Sequence, residues 1–299
     1  RSAREPTDAR GRVVTTPPDH PPRSSPPGLS VLNWGGGTNS TALAVEAVRL
    51  GVPFDIAVFA DTGSERPETY DFIGEFSDWL HAATGIVLDV VRWVRVRDSK
   101  DAKGRPVAKA GEFLSLHEWC ERLGTLPSRS FGLSGCTSKW KQQPVDSFLL
   151  AHPLVKAEHA AGRQVERWIG YDADEPGRSE RMIKKNPQAD LWRWRTPLVE
   201  WDMGRAECVE SIKRAGLTQP GKSACWFCPS STKADIDQLG REHPDLLERA
   251  LLMERTAIAS GNVQSRGGLG GRLNWSDYRE GKAAEIALPL EFSCGCFDG

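Results

Sequence analysis

No stretch of this chain stays apolar for the roughly 18 to 20 residues that a membrane-spanning helix requires. The first 28 residues also lack the apolar core of a secretory leader. The expectation is a cytoplasmic protein without a membrane anchor. An excess of charge is missing too: 39 basic against 40 acidic residues leave a formal net charge of −1. Composition therefore makes no overall electrostatic case for a nucleic-acid partner. The glycine-rich segment at residues 35–40 has neither the Gly-Lys-Ser/Thr ending of the common P-loop nor the G-x-G-x-x-G spacing of dinucleotide sites. His81, His117, His152, His159 and His243 form no metal-like spacing, and no role is assigned to them. There is no internal repeat. Tyrosine is scarce, 3 against 11 tryptophans, a bias the sequence does not explain.

What is present is enough apolar material, 39% of 299 residues, to bury a large core as one generous domain or one domain with an appendage. Residues 1–28 are rich in Pro, Ser and Arg and lack a hydrophobic period, so they are expected to form a disordered arm. From Leu29 the pattern predicts strand 30–34, helix 40–50, strand 54–60, helix 67–84 and strand 86–93. Continuous apolar strands separated by helices imply an α/β fold, a doubly wound, mostly parallel sheet. Residues 95–111 read as a flexible loop, 115–123 and 138–150 as helices, and 167–171 and 191–199 as strands. Helix 205–215 follows, then a helical stretch over 233–259 interrupted at Pro244. The expected division is a nucleotide-binding domain over 29–220 and a helical, cysteine-containing extension over 221–299. The stretch 261–272 reads as a linker or lid.

The strongest local signal is the run from Val31 to Ser40, VLNWGGGTNS. A strand ending in three glycines and opening a helix suits phosphate, because glycine lets the backbone approach an anion and the first N–H groups of the helix remain free. Asp61, Thr62 and Gly63 follow the second strand at the sheet edge where open α/β folds bind ligands, although the same three residues also favour a plain turn. Arg178 and Arg181, on a loop after a strand, suit phosphate or sulfate, or else pair with Asp172, Asp174 or Glu175 in a solvated turn. Glu68 falls in a helical first turn, which it supports through the dipole, or it acts at one remove from the site. Cys225-Trp226-Phe227-Cys228-Pro229 is a C-x-x-C loop, whose two thiolates can reach one metal or cluster or form a redox pair. Cys120 and Cys208, in amphipathic helical stretches, read as inert buried thiols. The basic groups at 92–97 and 139–141, with Trp93 and Trp140, read first as solvated loop charge and second as nucleic-acid contacts.

The segment Gly35-Gly36-Gly37-Thr38-Asn39-Ser40 resembles the PP-loop of ATP pyrophosphatases and of the phosphoadenosine phosphosulfate (PAPS) reductase family, usually Ser-Gly-Gly-x-Asp-Ser. Asp61-Thr62-Gly63 with Pro67-Glu68-Thr69 is similar to the family's second-strand motif. Cys136 with Lys141 and Pro144 resembles its Cys…Lys…Pro segment. Residues 170–181 resemble Gly-x-Arg-x-x-(Glu/Gln)-Ser-x-x-Arg, with Glu175, Arg178 and Arg181 at candidate positions, and Pro197 to Trp201 its Pro-Ile/Leu-x-x-Trp element. The resemblance spans about residues 30–230 and implies an adenine nucleotide, ATP, PAPS or adenosine phosphosulfate (APS), held by Gly35, Gly36, Gly37, Thr38, Asn39, Ser40, Asp61, Thr62, Gly63, Arg178 and Arg181. Two departures stand out: Gly35 replaces Ser, and Asn39 replaces the Asp whose carboxylate could take a metal.

Iron–sulfur members of the family pair a Cys-Cys at the position of Cys136 with a later C-x-x-C. The resemblance therefore implies a [4Fe–4S] cluster on Cys136, Cys225, Cys228 and a tail cysteine, Cys296 or Cys294. A zinc site on Cys225, Cys228, Cys294 and Cys296 is the alternative. The reductase tail, Glu-Cys-Gly-Leu-His, is kept only as Cys294-Gly295, followed by Cys296; Cys294 or Cys296 is the candidate catalytic nucleophile. Three functions follow: thiol-dependent reduction of a sulfonucleotide, ATP-dependent sulfur transfer to a nucleic acid or small molecule, or non-catalytic nucleotide binding. A thiol reductant or sulfur-donor protein is the implied partner.

Overall fold

The computed structural model describes residues 28–281, apart from 96, 101–103, 105, 128, 131–132, 185–187, 262–267 and 271–273. Nearly all of the expected arm, and the tail with Cys294 and Cys296, lie outside the described residues.

Two runs with every residue buried, β1 (Ser30–Asn33) and β2 (Ile56–Asp61), form the middle of the main sheet. With β3 (Leu88–Arg92), β8 (Val165–Ile169) and β9 (Trp192–Arg195) they make a five-stranded sheet in the order β3-β2-β1-β8-β9, parallel throughout. Two short antiparallel hairpins stand apart: β4 (Ser99–Lys100) with β5 (Pro106–Ala108), and β6 (Arg129–Ser130) with β7 (Leu133–Ser134). The chain winds outward from β1 to β3, then returns to β1's other side as β8. The carboxyl ends of β1 and β8 therefore flank the switch point where ligands of such sheets bind.

The helices are α1 (Thr38–Arg49), α2 (Pro67–Thr84), α3 (Leu116–Leu123), α4 (Gln143–Ala151), α5 (Pro153–Ala160), α6 (Pro176–Lys184), α7 (Pro197–Glu200), α8 (Arg205–Arg214), α9 (Lys233–Glu242), α10 (Pro244–Ala259) and α11 (Trp275–Arg279). Alternation along β1 sends Leu32 into one core, with Leu43, Phe76 and Ile212, and Val31 into another, with Val145, Leu149 and Val155. The sheet is thus covered on both faces. A third core joins Trp93, Leu116 and Trp140 to Phe227, Ile236 and Met253. Glu254, fully buried on α10, accepts backbone N–H bonds from Leu269, Trp275 and Ser276 and ties α11 down.

Several expected elements are corrected. The strand expected over 191–199 stops at Arg195, because Pro197 has no N–H to give a ladder and instead opens a helical turn. Arg178 and Arg181 lie on α6, not on a loop. The helix expected over 138–150 begins as a π-helical turn at Thr137–Gln142, the loop over 95–111 holds the β4–β5 hairpin, and α5 was not foreseen.

One close approach fixes the geometry at the switch point. A Cβ on Gly170, just after β8, would lie 2.6 Å from Ser40 N and 2.7 Å from Asn39 C. Gly170→Ala is therefore expected to cost about 1–3 kcal/mol in urea unfolding. Gly74→Ala, in open space on α2, is expected to gain roughly 0.5–1 kcal/mol. Equal midpoints for the two variants would show that the approach is not tight.

Candidate functional site

The glycine loop leaves β1 at the sheet's carboxyl edge and turns through Gly36, whose φ of +84° is the left-handed region that favours glycine. Gly37 is the N-cap of α1, in an extended conformation, and as glycine it offers no side-chain cap. All of residues 35–40 are buried. Their cover is the segment between α8 and the C-x-x-C loop: Ser223 Oγ donates to Gly35 O at 2.5 Å, and Gln219 Nε2 donates to Thr38 Oγ1 at 2.8 Å. Beneath the loop a narrow cavity runs along the ends of β1 and β2, lined by Asn33, Gly35, Phe59 and Lys141 among others.

Asn39 is the loop's polar junction. Its Nδ2 donates to Asp172 Oδ2 at 2.9 Å, and its Oδ1 accepts from Arg205 NH1 at 2.8 Å. Burial holds the Asp172 carboxyl above its ordinary value; Glu175 and Asp174 add repulsion, while the Asn39 hydrogen bond pulls the other way. Arg205 was missed by sequence reasoning because it lies 166 residues from Asn39, and no local pattern marks it.

The turn after β2 is closed by its own side chains. Asp61 accepts from Gly63 N at 2.7 Å, from the Tyr70 hydroxyl at 2.9 Å and from Arg92 Nε at 2.8 Å. Thr62 Oγ1 donates to Glu65 Oε1 at 3.1 Å and shares a hydrogen bond with Cys225 Sγ at 3.2 Å. A β-bridge between Glu65 and Cys225, with Trp226 N donating to Ser64 O at 3.1 Å, welds this turn to the C-x-x-C loop. Lys141 Nζ, which lines the cavity, stands 3.6 Å from the buried Glu65 carboxylate.

The fold brings Cys136, Cys225 and Cys228 into one region. Cys136 packs on the core that contains Cys225 and Cys120, and its charge opposes ionisation of Cys228. Burial is the main cause that pushes both the Cys225 and Cys228 thiols up. Left to themselves, these thiols stay protonated and unreactive at neutral pH. Among the described residues, the three sulfurs are not all within 4.8 Å of one another. Cys120 and Cys208 are buried, with the Cys208 thiol pushed up to about 12 by burial, as inert thiols should be.

The remaining candidates do not converge on the loop. Arg178 binds both oxygens of Glu175, at 2.9 and 2.8 Å, and lies over the Tyr171 ring, which is the paired-turn reading. Arg181 is exposed on α6. Glu68 sits in the first turn of α2, and its Oε2 meets His243 Nε2 at 2.8 Å; with Glu242 these form a group that sequence spacing did not reveal. Lys141 is buried and Lys139 half-buried, and Lys139 Nζ lies 4.2, 3.7 and 4.4 Å from the ring centroids of Trp93, Trp119 and Trp140. The Trp93 and Trp140 rings are buried against one another, so their faces are not offered to bases.

No family model matches this chain, and no curated protein does. Among solved structures, it is similar to phosphoadenylyl-sulfate (PAPS) reductase from Candida auris in a phosphate complex, with 14% identity over 68% of this chain and 83% of that one and a TM-score of 0.34. It is also similar to the U34-tRNA thiolase NcsA from Methanococcus maripaludis with its [4Fe-4S] cluster, with 14% identity over 86% of this chain and 82% of that one and a TM-score of 0.37. The sheet order and the side-chain geometry above stand independently of these likenesses.

The raised Asp172 carboxyl has a consequence for stability. An acid whose value is raised by folding contributes stability that is complete below its unfolded value and lost as pH climbs through the folded one. Asp172→Asn is therefore expected to raise the melting temperature at about pH 8, with a gain that shrinks toward zero near about pH 4. A gain independent of pH would remove the carboxylate as its cause.

Proposed function

We propose that this chain is an adenine-nucleotide-dependent enzyme of sulfur chemistry, with nucleotide phosphates at the loop formed by residues 35–40. The observation that carries this reading is the 3.2 Å hydrogen bond between Thr62 and Cys225. It joins the sulfur-bearing loop to the end of β2, one strand from the glycine loop. Lys141 spans the two by lining the cavity with Gly35 and facing Glu65, the neighbour of Cys225.

Cys136, Cys225 and Cys228 would hold a [4Fe–4S] cluster, with Cys296 or Cys294 of the tail as a fourth ligand. When bound, such a group supplies redox or sulfur-ligating chemistry. In sulfonucleotide reduction, the thiolate of whichever of Cys294 and Cys296 is not a cluster ligand attacks the sulfonate sulfur. An S–S bond forms, the S–O bond to the nucleotide breaks, and the nucleotide phosphate leaves with the electron pair. A thiol reductant then takes over the S–S bond to the cysteine and releases sulfite. A second reading, ATP-dependent sulfur transfer, is supported by Cys225, which bonds to Thr62 at the end of β2 without help from the tail. There the target oxygen attacks the α-phosphorus, pyrophosphate leaves, and a sulfur nucleophile displaces AMP.

The test is to incubate the full chain, prepared without oxygen, with ATP and a candidate acceptor or with PAPS and a thiol reductant. Adenosine 3′,5′-bisphosphate plus sulfite marks reduction, and AMP plus pyrophosphate marks transfer. Neither set of products, with no nucleotide binding, would sink the proposal. Gly36→Val is expected to abolish binding of either nucleotide, because its Cβ enters a left-handed turn 3.2 Å from Ser223 Oγ. Unchanged affinity would show that the loop is not the nucleotide site.

A further inference from the structure

We propose that Arg205 is a phosphate-binding side chain of the glycine loop, and that Asn39 serves as the neutral spacer that keeps its guanidinium available. This rests on the nucleotide reading of the loop. Arg205 opens α8, where its backbone N donates to Asp174 Oδ2 at 2.7 Å. From that anchor the side chain reaches the second residue of α1, donating from NH1 to Asn39 Oδ1 at 2.8 Å. The guanidinium thus stands at the start of α1, where the helix presents its unpaired N–H groups. Its partner there is an uncharged amide and the residue is exposed. A phosphate oxygen is the stronger acceptor, with a charge-assisted bond about twice as strong as a neutral one, so the guanidinium gains by exchanging one for the other.

Asp172 explains why the spacer is an amide. With Nδ2 of Asn39 committed to the buried Asp172 carboxylate at 2.9 Å, the amide oxygen must face Arg205. An aspartate at position 39 would set a second carboxylate against Asp172, which burial already disfavours in its charged form. It would also ion-pair with Arg205 and withdraw the guanidinium from an incoming anion. Asn39 therefore marks a redistribution of charge around the loop: the carboxylate is held one hydrogen bond away, at Asp172, and the free cation is supplied by α8.

The experiment is isothermal titration of the full chain with ATP plus magnesium, and separately with PAPS. Arg205→Gln is expected to weaken binding of the nucleotide that the native chain takes by about tenfold or more, with Arg205→Lys intermediate and the melting temperature unchanged. Asn39→Asp, which restores the more usual loop residue, is expected to weaken binding too. Should that variant fold poorly, the swap Asn39→Asp with Asp172→Asn keeps a single carboxylate and is also expected to bind weakly. Native affinity in Arg205→Gln, or native or tighter affinity in the folded Asn39→Asp or swap chain, would overturn the proposal while the nucleotide reading stands. If the native chain binds neither nucleotide, that reading fails and this assignment falls with it.

Discussion

The site depends on the backbone of Gly170 lying against the first turn of α1. A strand end and a helix start meet this closely only where no Cβ intervenes, since the position a Cβ would take is 2.6 Å from Ser40 N. The contact closes the switch point between β1 and β8 and fixes where the next residues go. Tyr171 and Asp172 are delivered beside the loop, and Asp172 meets Asn39. Asn33, at the end of β1, adds a second tie across the same seam by donating to Trp168 O at 3.2 Å. The polar geometry of the loop is thus set by packing of the main chain, and side chains only read it out.

The second constraint is the weld between the turn after β2 and the C-x-x-C loop. The segment leading into Cys225 is held at both ends: Ser223 and Gln219 bond to the glycine loop, and Cys225 bridges to Glu65. Residues 35–40 are buried under it, so a phosphate can occupy the loop only if the bonds from Ser223 and Gln219 give way. Ser223 and Cys225 are two residues apart, so this short segment joins the glycine loop to the C-x-x-C loop. The loop and the cysteines are parts of one mechanical unit.

Much of the sheet was legible because its strands are continuous apolar runs and its helices carry regular spacing. Helix α2 matched the expected 67–84 because Pro67 and Gly85 mark its ends in the sequence itself. The glycine loop was legible for the same local reason. What the sequence hid is non-local. Arg205, Asp172 and Asn39 are joined only by the fold, and the Glu68–His243 pair spans 175 residues. Arg178 and Arg181 were placed on a loop because the acidic run before them masks a helix start that Pro176 supplies.

Many of the tryptophans pack against cations that are buried or half-buried. Lys139 is enclosed by Trp93, Trp119 and Trp140, Arg167 lies over Trp192 and Trp194, and Arg195 lies over Trp168. Indole has the strongest π-face for a cation, and its single N–H is more easily satisfied than a hydroxyl: Trp34 donates to Thr41, Trp140 to Leu114 O and Trp192 to Gln188. Enclosing Lys139 this way still costs hydration, and its ammonium is brought down to about 8, chiefly by burial, with Arg95 adding repulsion. The positive charge so retained lies where it matters. Lys139 favours the thiolate at Cys120, and Lys141 does so at Cys225 and Cys228, against the burial that raises all three. At Cys225 and Cys228, Lys141 thereby offsets part of what burial costs the charged thiolate.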